Sequence, residues 1–230
     1  MILLDTALAG LTVGLFWAGV LVARALGLKA GYSLAPLGFR WPRAGVLAGT
    51  GVGMAIGVGA VIVSFPINAA SAFIVDRLGY STESTVQGPL MRALVRWVEE
   101  NPGAAVPAIF FVVVIFGPAV EELVFRGAVF NGLYRLGLYF STSLGGPEPS
   151  PRTARRASFI LAALASSALF SLLHLEPVLL PALFILAVVL CALFERTGSL
   201  LPPFVAHATF NSFATSLIIL DGLGIIEVPI

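Results

Sequence analysis

Long apolar runs separated by short polar segments are the main pattern of this sequence. Six runs are long enough, and carry few enough charges, to cross a lipid bilayer, which takes about 20 mostly apolar residues in a helix. They span residues 7–22, 44–67, 104–134, 157–175, 178–194 and 200–220. The pattern predicts a single all-α integral-membrane domain over residues 1–230, a polytopic transmembrane bundle with about six main crossings.

Two segments depart from a simple crossing. The third run is too long for one straight helix and contains Gly117-Pro118, where proline removes a backbone donor and clashes with the preceding turn. We expect a kinked helix or two half-helices there. Just before this run, residues 83–101 place apolar side chains at helical spacing opposite Arg92 and Arg96. This arrangement is typical of an amphipathic helix lying in the membrane interface.

The second run contains a glycine at every fourth position: Gly45, Gly49, Gly53 and Gly57. A dinucleotide-binding loop would need a preceding strand and an aqueous setting, and the sequence predicts neither. Glycines at this spacing form a smooth helix face that another backbone can approach closely. We therefore interpret them as a packing surface, which could serve an internal contact or a homo-oligomer.

The composition supports the bilayer as the solvent of this chain. Hydrophobic residues make up 58% and charged residues 11%, with a mean hydropathy of +1.00 and a net charge of +1. A water-soluble domain carries about a quarter of its residues as charges, and a nucleic-acid binder has a basic surface, so both classes are excluded. The single Cys191 has no partner for a disulfide, and we interpret it as a small filler of a buried helix.

Basic residues indicate how the bundle is oriented. When the loops are sorted by alternate crossings, most of the 13 basic residues fall on one side. Only Arg77, Arg92 and Arg96 fall on the other, and Arg126 is embedded. The positive-inside rule then places both termini outside. No basic residue precedes the first run, so we expect it to be retained rather than cleaved as a signal. The Arg-rich composition favours a bacterial inner (plasma) membrane, with the chain crossing it several times.

A few polar residues lie inside these apolar runs, where an ionisable side chain costs at least ~2.5–3.5 kcal/mol. Such residues usually face a cavity within the bundle and have a function there. The pattern therefore predicts a polar site inside the bundle. Its members are Glu121, Glu122, Arg126, His174, His207 and Asn211.

Helical spacing divides this set. Glu122 and Arg126 are four residues apart and can pair; a structural bridge and direct chemistry are equally compatible with that pair. Glu121 points away from this face and has no local partner. His207 and Asn211 also lie four apart, so their hydrogen-bonding groups share one stripe of the last helix.

The residue types restrict the chemistry. The two histidines do not form the His-Glu-x-x-His motif of zincins, and the aspartates lie in loops or at helix ends, which excludes an intramembrane aspartyl protease. A serine mechanism would have to use Ser171, three residues before His174. The remaining set, one glutamate with two histidines and an asparagine, suits activation of water and stabilisation of an oxyanion.

Three segments resemble the motifs of a known family. Residues 121–126 read EELVFR, residues 170–174 read FSLLH and residues 207–211 read HATFN. These segments, in this order on three helices, resemble the CPBP family, which comprises type II CAAX prenyl endopeptidases and bacteriocin-processing proteins. The resemblance implies an intramembrane peptidase with its catalytic core at residues 104–220.

The resemblance also implies roles. Glu121 would be the general base, His174 would hold the attacking water, and His207 with Asn211 would bind the oxyanion. Glu122 and Arg126 would orient the site. Spacing assigns a structural packing role to Phe170, four residues before His174. No cofactor is certain: Glu121, His174 and His207 could bind zinc, or only water.

The expected partners are the lipid bilayer and a membrane-associated or lipidated peptide or protein, with no nucleic acid. The alternative function is a non-catalytic scaffold, or a proton-coupled transporter that uses the same polar cluster. The topology raises one difficulty, since His174 would lie near the outer face and His207 near the inner end of its helix. They can meet only if residues 152–156 project into the cytoplasm and the turn at 176–181 is buried; a separation above about 12 Å would exclude a shared site.

Overall fold

The computed structural model describes residues 2–25, 33–84, 87–143 and 150–228, and these residues form seven helices and no strand. One helix, α4, covers residues 102–143 without interruption. The other six are α1 (Ile2–Ala25), α2 (Val46–Arg77), α3 (Gln87–Glu100), α5 (Pro151–Leu172), α6 (Leu180–Thr197) and α7 (Leu201–Gly222). A short 3₁₀ turn, Ala35–Leu37, precedes α2. The predicted all-α bundle is confirmed.

Five of these helices are long and apolar enough to cross a membrane: α2, α4, α5, α6 and α7. The sixth predicted crossing lies in α1, whose described apolar stretch, Gly10–Leu21, is shorter than a full span. The amphipathic segment forms α3, as predicted. The chain is a multi-pass integral membrane protein.

Helix α4 excludes one of the two alternatives predicted at Gly117-Pro118. The alternative of two half-helices is wrong, because α4 stays helical there and changes between π-helical and α-helical hydrogen bonding instead. The α-helical segment Gly117–Glu122 lies between two π-helical segments, Phe110–Phe116 and Leu123–Phe130. The Gly117 N–H bonds to Val112 O, five residues back, as in a π-helix. The wider turn accommodates a proline that would interrupt a regular α-helix.

Helices α2 and α7 run parallel in backbone contact along the predicted glycine face. A Cβ at Gly53 would lie 2.6 Å from the carbonyl oxygen of Pro202, and one at Gly57 would lie 2.5 Å from that of Ala206. The face contacts another helix of the same chain and is therefore not free for a homo-oligomer. Gly45 does not belong to it: it is the N-cap of α2, with φ +90° and open space around it. The glycines in contact are Gly49, Gly53 and Gly57.

The packing between α4, α5 and α6 shows how far the N-terminal end of α5 extends beyond its neighbours. Ala163, in the middle of α5, packs with Phe130 of α4 and with Phe194, close to the last residue of α6. At 1.5 Å per residue, residues 152–156 lie about 10–17 Å beyond this contact. The N-terminal end of α5 therefore projects past the turn between α6 and α7, as the shared site requires. Cys191, 0% exposed, lies in this cluster as a buried filler.

The turn between α5 and α6 was expected to be buried, and only part of it is. Glu176 is 5% exposed, whereas Leu175 is 66% exposed and Pro177 is also on the surface. Apolar side chains can face lipid at no cost, so only the charged member of the turn needs protein around it.

Candidate active site

The two adjacent glutamates of α4 face different surroundings. Glu121 and Glu122 end the short α-helical segment between the two π-helical segments. Neighbouring residues on a helix point about 100° apart, so the two side chains have different neighbours. The Glu122 side chain is 1% exposed and that of Glu121 is 21% exposed. Glu121 is thus the more accessible of the two side chains, although its Oε2, which faces His207, is itself buried.

Glu122 is held by two partners. Its Oε1 lies 2.9 Å from Arg126 Nη1 and 2.8 Å from His207 Nδ1. The guanidinium of Arg126 also lies over the ring of Phe170, with Cζ 4.8 Å from the ring centroid. The pair expected from the spacing of Glu122 and Arg126 is present, and it extends to a histidine of another helix. Attraction between the opposite charges, rather than hydrogen bonding, holds this buried pair, since within the described residues Glu122 Oε2 and the guanidinium nitrogens of Arg126 have no hydrogen-bond partner.

His207 lies between the two glutamates. The Glu122 carboxylate accepts from Nδ1, so this nitrogen carries a proton. Nε2 then faces Glu121 Oε2 at 3.6 Å, a distance too long for a direct hydrogen bond. His207 itself is 3% exposed. Glu122 therefore sets the orientation of the imidazole, and the nitrogen that faces Glu121 is available to the site.

His174 lies in the turn after α5 and is half-buried. Its Nδ1 is 2.8 Å from the carbonyl oxygen of Phe170. A carbonyl oxygen only accepts, so Nδ1 is the donor and Nε2 of the neutral ring keeps its lone pair. Nε2 can accept a hydrogen bond from water or bind a metal ion. Glu121 interacts electrostatically with both histidines.

Phe170 contacts both histidines. Its ring centroid lies 4.7 Å from that of His174 and 5.7 Å from that of His207. The two imidazoles are therefore within the limit of about 12 Å for a shared site. Phe170 is 1% exposed and packs edge-on against Phe125 at 5.1 Å. It fixes the spacing of the site by contacting Arg126 and the two histidines at once.

Asn211 bonds to a carbonyl that the sequence analysis did not identify. Its Nδ2 donates to Val113 O at 3.0 Å. Val113 precedes Pro118 by five residues, the π-helical spacing, and proline has no N–H to give to that carbonyl. The second N–H of the Asn211 amide is left for another acceptor. A proline within a predicted membrane-spanning helix, here three residues before Glu121, is the sequence signal for such a free carbonyl.

Two serines of α5 also bond to helix carbonyls. Ser166 Oγ donates to Phe125 O, in the second π-helical segment, at 2.9 Å. Ser171 is 1% exposed and donates to Ala168 O of its own helix at 3.2 Å. This geometry gives no support to Ser171 as a nucleophile.

The metal hypothesis concerns Glu121, His174 and His207. Carboxylate and imidazole are suitable zinc ligands. Within the described residues, however, no three His, Cys, Asp or Glu side chains come close enough to hold a metal ion. The mechanism considered below therefore uses side chains and water alone.

Comparison with known proteins gives one match. Residues 102–213 match the model of the family described as type II CAAX prenyl endopeptidase Rce1-like. The matched region extends from the start of α4 into α7 and includes all the polar residues described above. Neither the curated proteins nor the solved structures give a significant match to this chain.

Proposed function

We propose that this chain, whose residues 102–213 belong to the Rce1-like, CPBP family of intramembrane peptidases, uses Glu121 to activate water against a peptide bond. The observation that carries the proposal is the contrast between the two glutamates. Glu122 is buried between Arg126 and His207, whereas the Glu121 carboxylate is part-exposed and lies beside His207 Nε2. The substrate class we propose is a membrane-associated or lipidated peptide or protein, in a bacterial plasma membrane.

Water would be held between Glu121 and His174. Nε2 of His174 accepts one hydrogen bond from it, and Glu121 removes a proton as the oxygen attacks the scissile carbonyl. A C–O bond forms and the carbonyl becomes a tetrahedral oxyanion. When the intermediate collapses, the C–N bond breaks and Glu121 returns the proton to the leaving amine. The products are a carboxylate and an amine, and one water molecule is consumed.

The oxyanion would be stabilised from α7. The second N–H of Asn211 is one donor, and Nε2 of His207 is the other when it carries a proton. With Nδ1 also protonated, His207 is then an imidazolium whose charge is balanced by Glu122 and by the oxyanion itself, since Glu121 holds the proton of the attacking water at this stage. Arg126 and Glu122 act through His207 by holding its ring and do not touch the substrate.

The test compares protein termini in host membranes that express the wild type, Glu121→Gln or Glu99→Gln at equal levels. Glu99 is an exposed carboxylate of α3 and serves as the matched control. We expect new termini with the wild type and Glu99→Gln and none with Glu121→Gln, because the amide cannot remove a proton from water. The peptides carrying these termini identify the substrate.

Identical termini in all three membranes, together with an assembly or proton-flux defect in Glu121→Gln, would replace the proposal with the scaffold or transporter function. A second comparison adds 1,10-phenanthroline to membranes with wild-type protein. Loss of the new termini on chelation and recovery on zinc addition would establish zinc as part of the reaction.

A further inference from the structure

A buried carboxylate outside the proposed reaction joins two distant segments. Glu176, two residues after His174, is 5% exposed. Its Oε1 accepts from Ser84 Oγ at 2.7 Å and from the backbone N–H of Gln87 at 2.7 Å. Ser84 Oγ in turn accepts from the N–H of Gly88 at 2.6 Å. The turn that carries His174 is thereby bonded to the first residues of α3.

The same turn is strained. Leu175, between His174 and Glu176, has φ +56°, a left-handed conformation that costs energy for a residue with a branched side chain. Backbone bonds lead into it from His174 N to Ser171 O at 3.2 Å and from Leu175 N to Leu172 O at 3.1 Å, and the carbonyl of Glu176 accepts from the N–H groups of Leu179 and Leu180. A strained segment keeps its conformation only when contacts on both sides hold it. Phe170 is one such contact, and Glu176 is the other.

Helix α3 is a firm attachment point for this carboxylate. Near its other end, Val98 is 0% exposed and packs with Ala105 and Ile109 of α4. A Cβ at Gly222, in the last turn of α7, would lie 2.6 Å from Val98 Cβ. The helix is therefore packed against both helices that supply the other polar residues of the site.

We propose that Glu176 is a positioning residue for His174: by bonding to Ser84 and Gln87 it holds the turn that presents Nε2 to the attacking water. This inference rests on the proposed peptidase function. It assigns a role to α3, which precedes the matched region 102–213. Glu176 would affect turnover without touching the substrate.

The experiment uses the full chain in lipid nanodiscs and in host membranes. Hydrogen exchange measures how well the backbone of the turn is held, and the rate at which the new termini accumulate measures cleavage. The variants are Glu176→Ala, Glu176→Gln and the control Glu83→Ala, which removes an exposed carboxylate preceding α3. Glu176→Gln keeps an oxygen that can accept from Ser84 and Gln87, so it is the conservative rescue.

For Glu176→Ala we expect exchange at residues 170–180 to accelerate about tenfold or more. Cleavage should slow about tenfold or more, since small displacements of a catalytic group cost large factors in rate. Glu176→Gln should recover most of both losses, and Glu83→Ala should behave as the wild type.

Two results would overturn the inference: unchanged exchange in Glu176→Ala, or faster exchange with unchanged cleavage, which would make Glu176 only a cap of α3. If Glu176→Ala unfolds globally, the proposal is tested with Glu176→Gln and Ser84→Ala instead. If these variants are folded and the cleavage rate does not fall as the hydrogen-exchange rate of the turn rises, the proposal is contradicted. If the wild type produces no termini that Glu121→Gln lacks, the peptidase function fails, while exchange still tests the bonding of the turn to α3.

Discussion

The two faces of α7 are built in opposite ways. The face towards α4 is polar: His207 bonds to Glu122 at 2.8 Å, and Asn211 bonds to a backbone carbonyl at 3.0 Å. The face towards α2 is nearly smooth, and a Cβ at Gly57 would lie 2.5 Å from one backbone oxygen and 2.6 Å from Thr209 Cβ. Directed bonds hold the first face, whereas close backbone contact holds the second.

This difference shows what each face contributes to the site. Hydrogen bonds and ion pairs are directional, so the polar face sets which way His207 and Asn211 point. In lipid the hydrophobic effect does not drive apolar helices together, so the smooth face is held by close van der Waals packing. This packing fixes the position of α7. The second contribution comes from α2, which precedes the matched region. A domain reduced to residues 102–213 would lack it.

The largest expected effect is on the polar face. Glu122→Ala leaves the Arg126 guanidinium, 1% exposed, without its carboxylate, and the free energy of unfolding should fall by about 3–5 kcal/mol. Unfolding in detergent micelles measures the change. Glu121→Gln, at the part-exposed neighbour, should cost less than about 1 kcal/mol. Equal losses from the two changes would contradict the division of roles between the glutamates.

A smaller effect is expected on the smooth face. Gly57→Ala inserts a methyl group against the backbone of α7, and overpacking of this kind costs about 1–3 kcal/mol. Gly59→Ala is the matched control, since nothing lies within 4 Å of the added Cβ. It should be neutral or slightly stabilising. If both variants unfold alike, the contact between α2 and α7 does not place the site.

Removing the hydrogen bond of Asn211 should lower the free energy of unfolding less than Glu122→Ala or Gly57→Ala does. Asn211→Ala leaves the carbonyl of Val113 without its donor, and stability should fall by about 1–2 kcal/mol. Ser212→Ala is the control on the next residue, because its hydroxyl bonds to Thr209 O of the same helix at 2.7 Å. Unfolding of both variants in the same detergent checks this, and a loss confined to Ser212→Ala would contradict it.

The smallest effect concerns a peripheral contact between α2 and α7. The rings of Phe65 and Phe213 meet edge-on with centroids 5.7 Å apart, although both side chains are more than a third exposed. A double-mutant cycle with leucine at both positions should give a coupling of about 0.5 kcal/mol. A second double-mutant cycle measures the coupling free energy between Gly57 and Thr209. If the Phe65–Phe213 coupling is the larger, aromatic contact rather than glycine packing holds the two helices.

Local periodicity explains what could be predicted from the sequence. Glu122 and Arg126 are one helical turn apart, so their pairing follows from spacing alone, and the crossings follow from runs of apolar residues. The bond between His207 and Glu122 joins residues 85 positions apart. It depends on how α4 and α7 pack, which no local pattern specifies.

Two further residues show the same limit. Asn211 was expected only to face the site, but it also bonds to Val113 O, which Pro118 leaves free in a π-helical turn. The turn that contains Glu176 was expected to be buried, but the partners of its carboxylate, Ser84 and Gln87 at the start of α3, were not expected. A charged side chain is expected to be exposed to water, unless a hydrogen-bonding partner from elsewhere in the chain takes the place of water.

The parallel contact of α2 with α7 has a consequence for biosynthesis. At roughly 5–20 residues per second, the roughly 150 residues between Gly57 and Ala206 take on the order of 10 s to translate. During that interval α2 has been synthesised without α7, and neither His207 nor Asn211 has yet emerged from the ribosome. The nascent chain therefore has no complete polar site before α7 inserts.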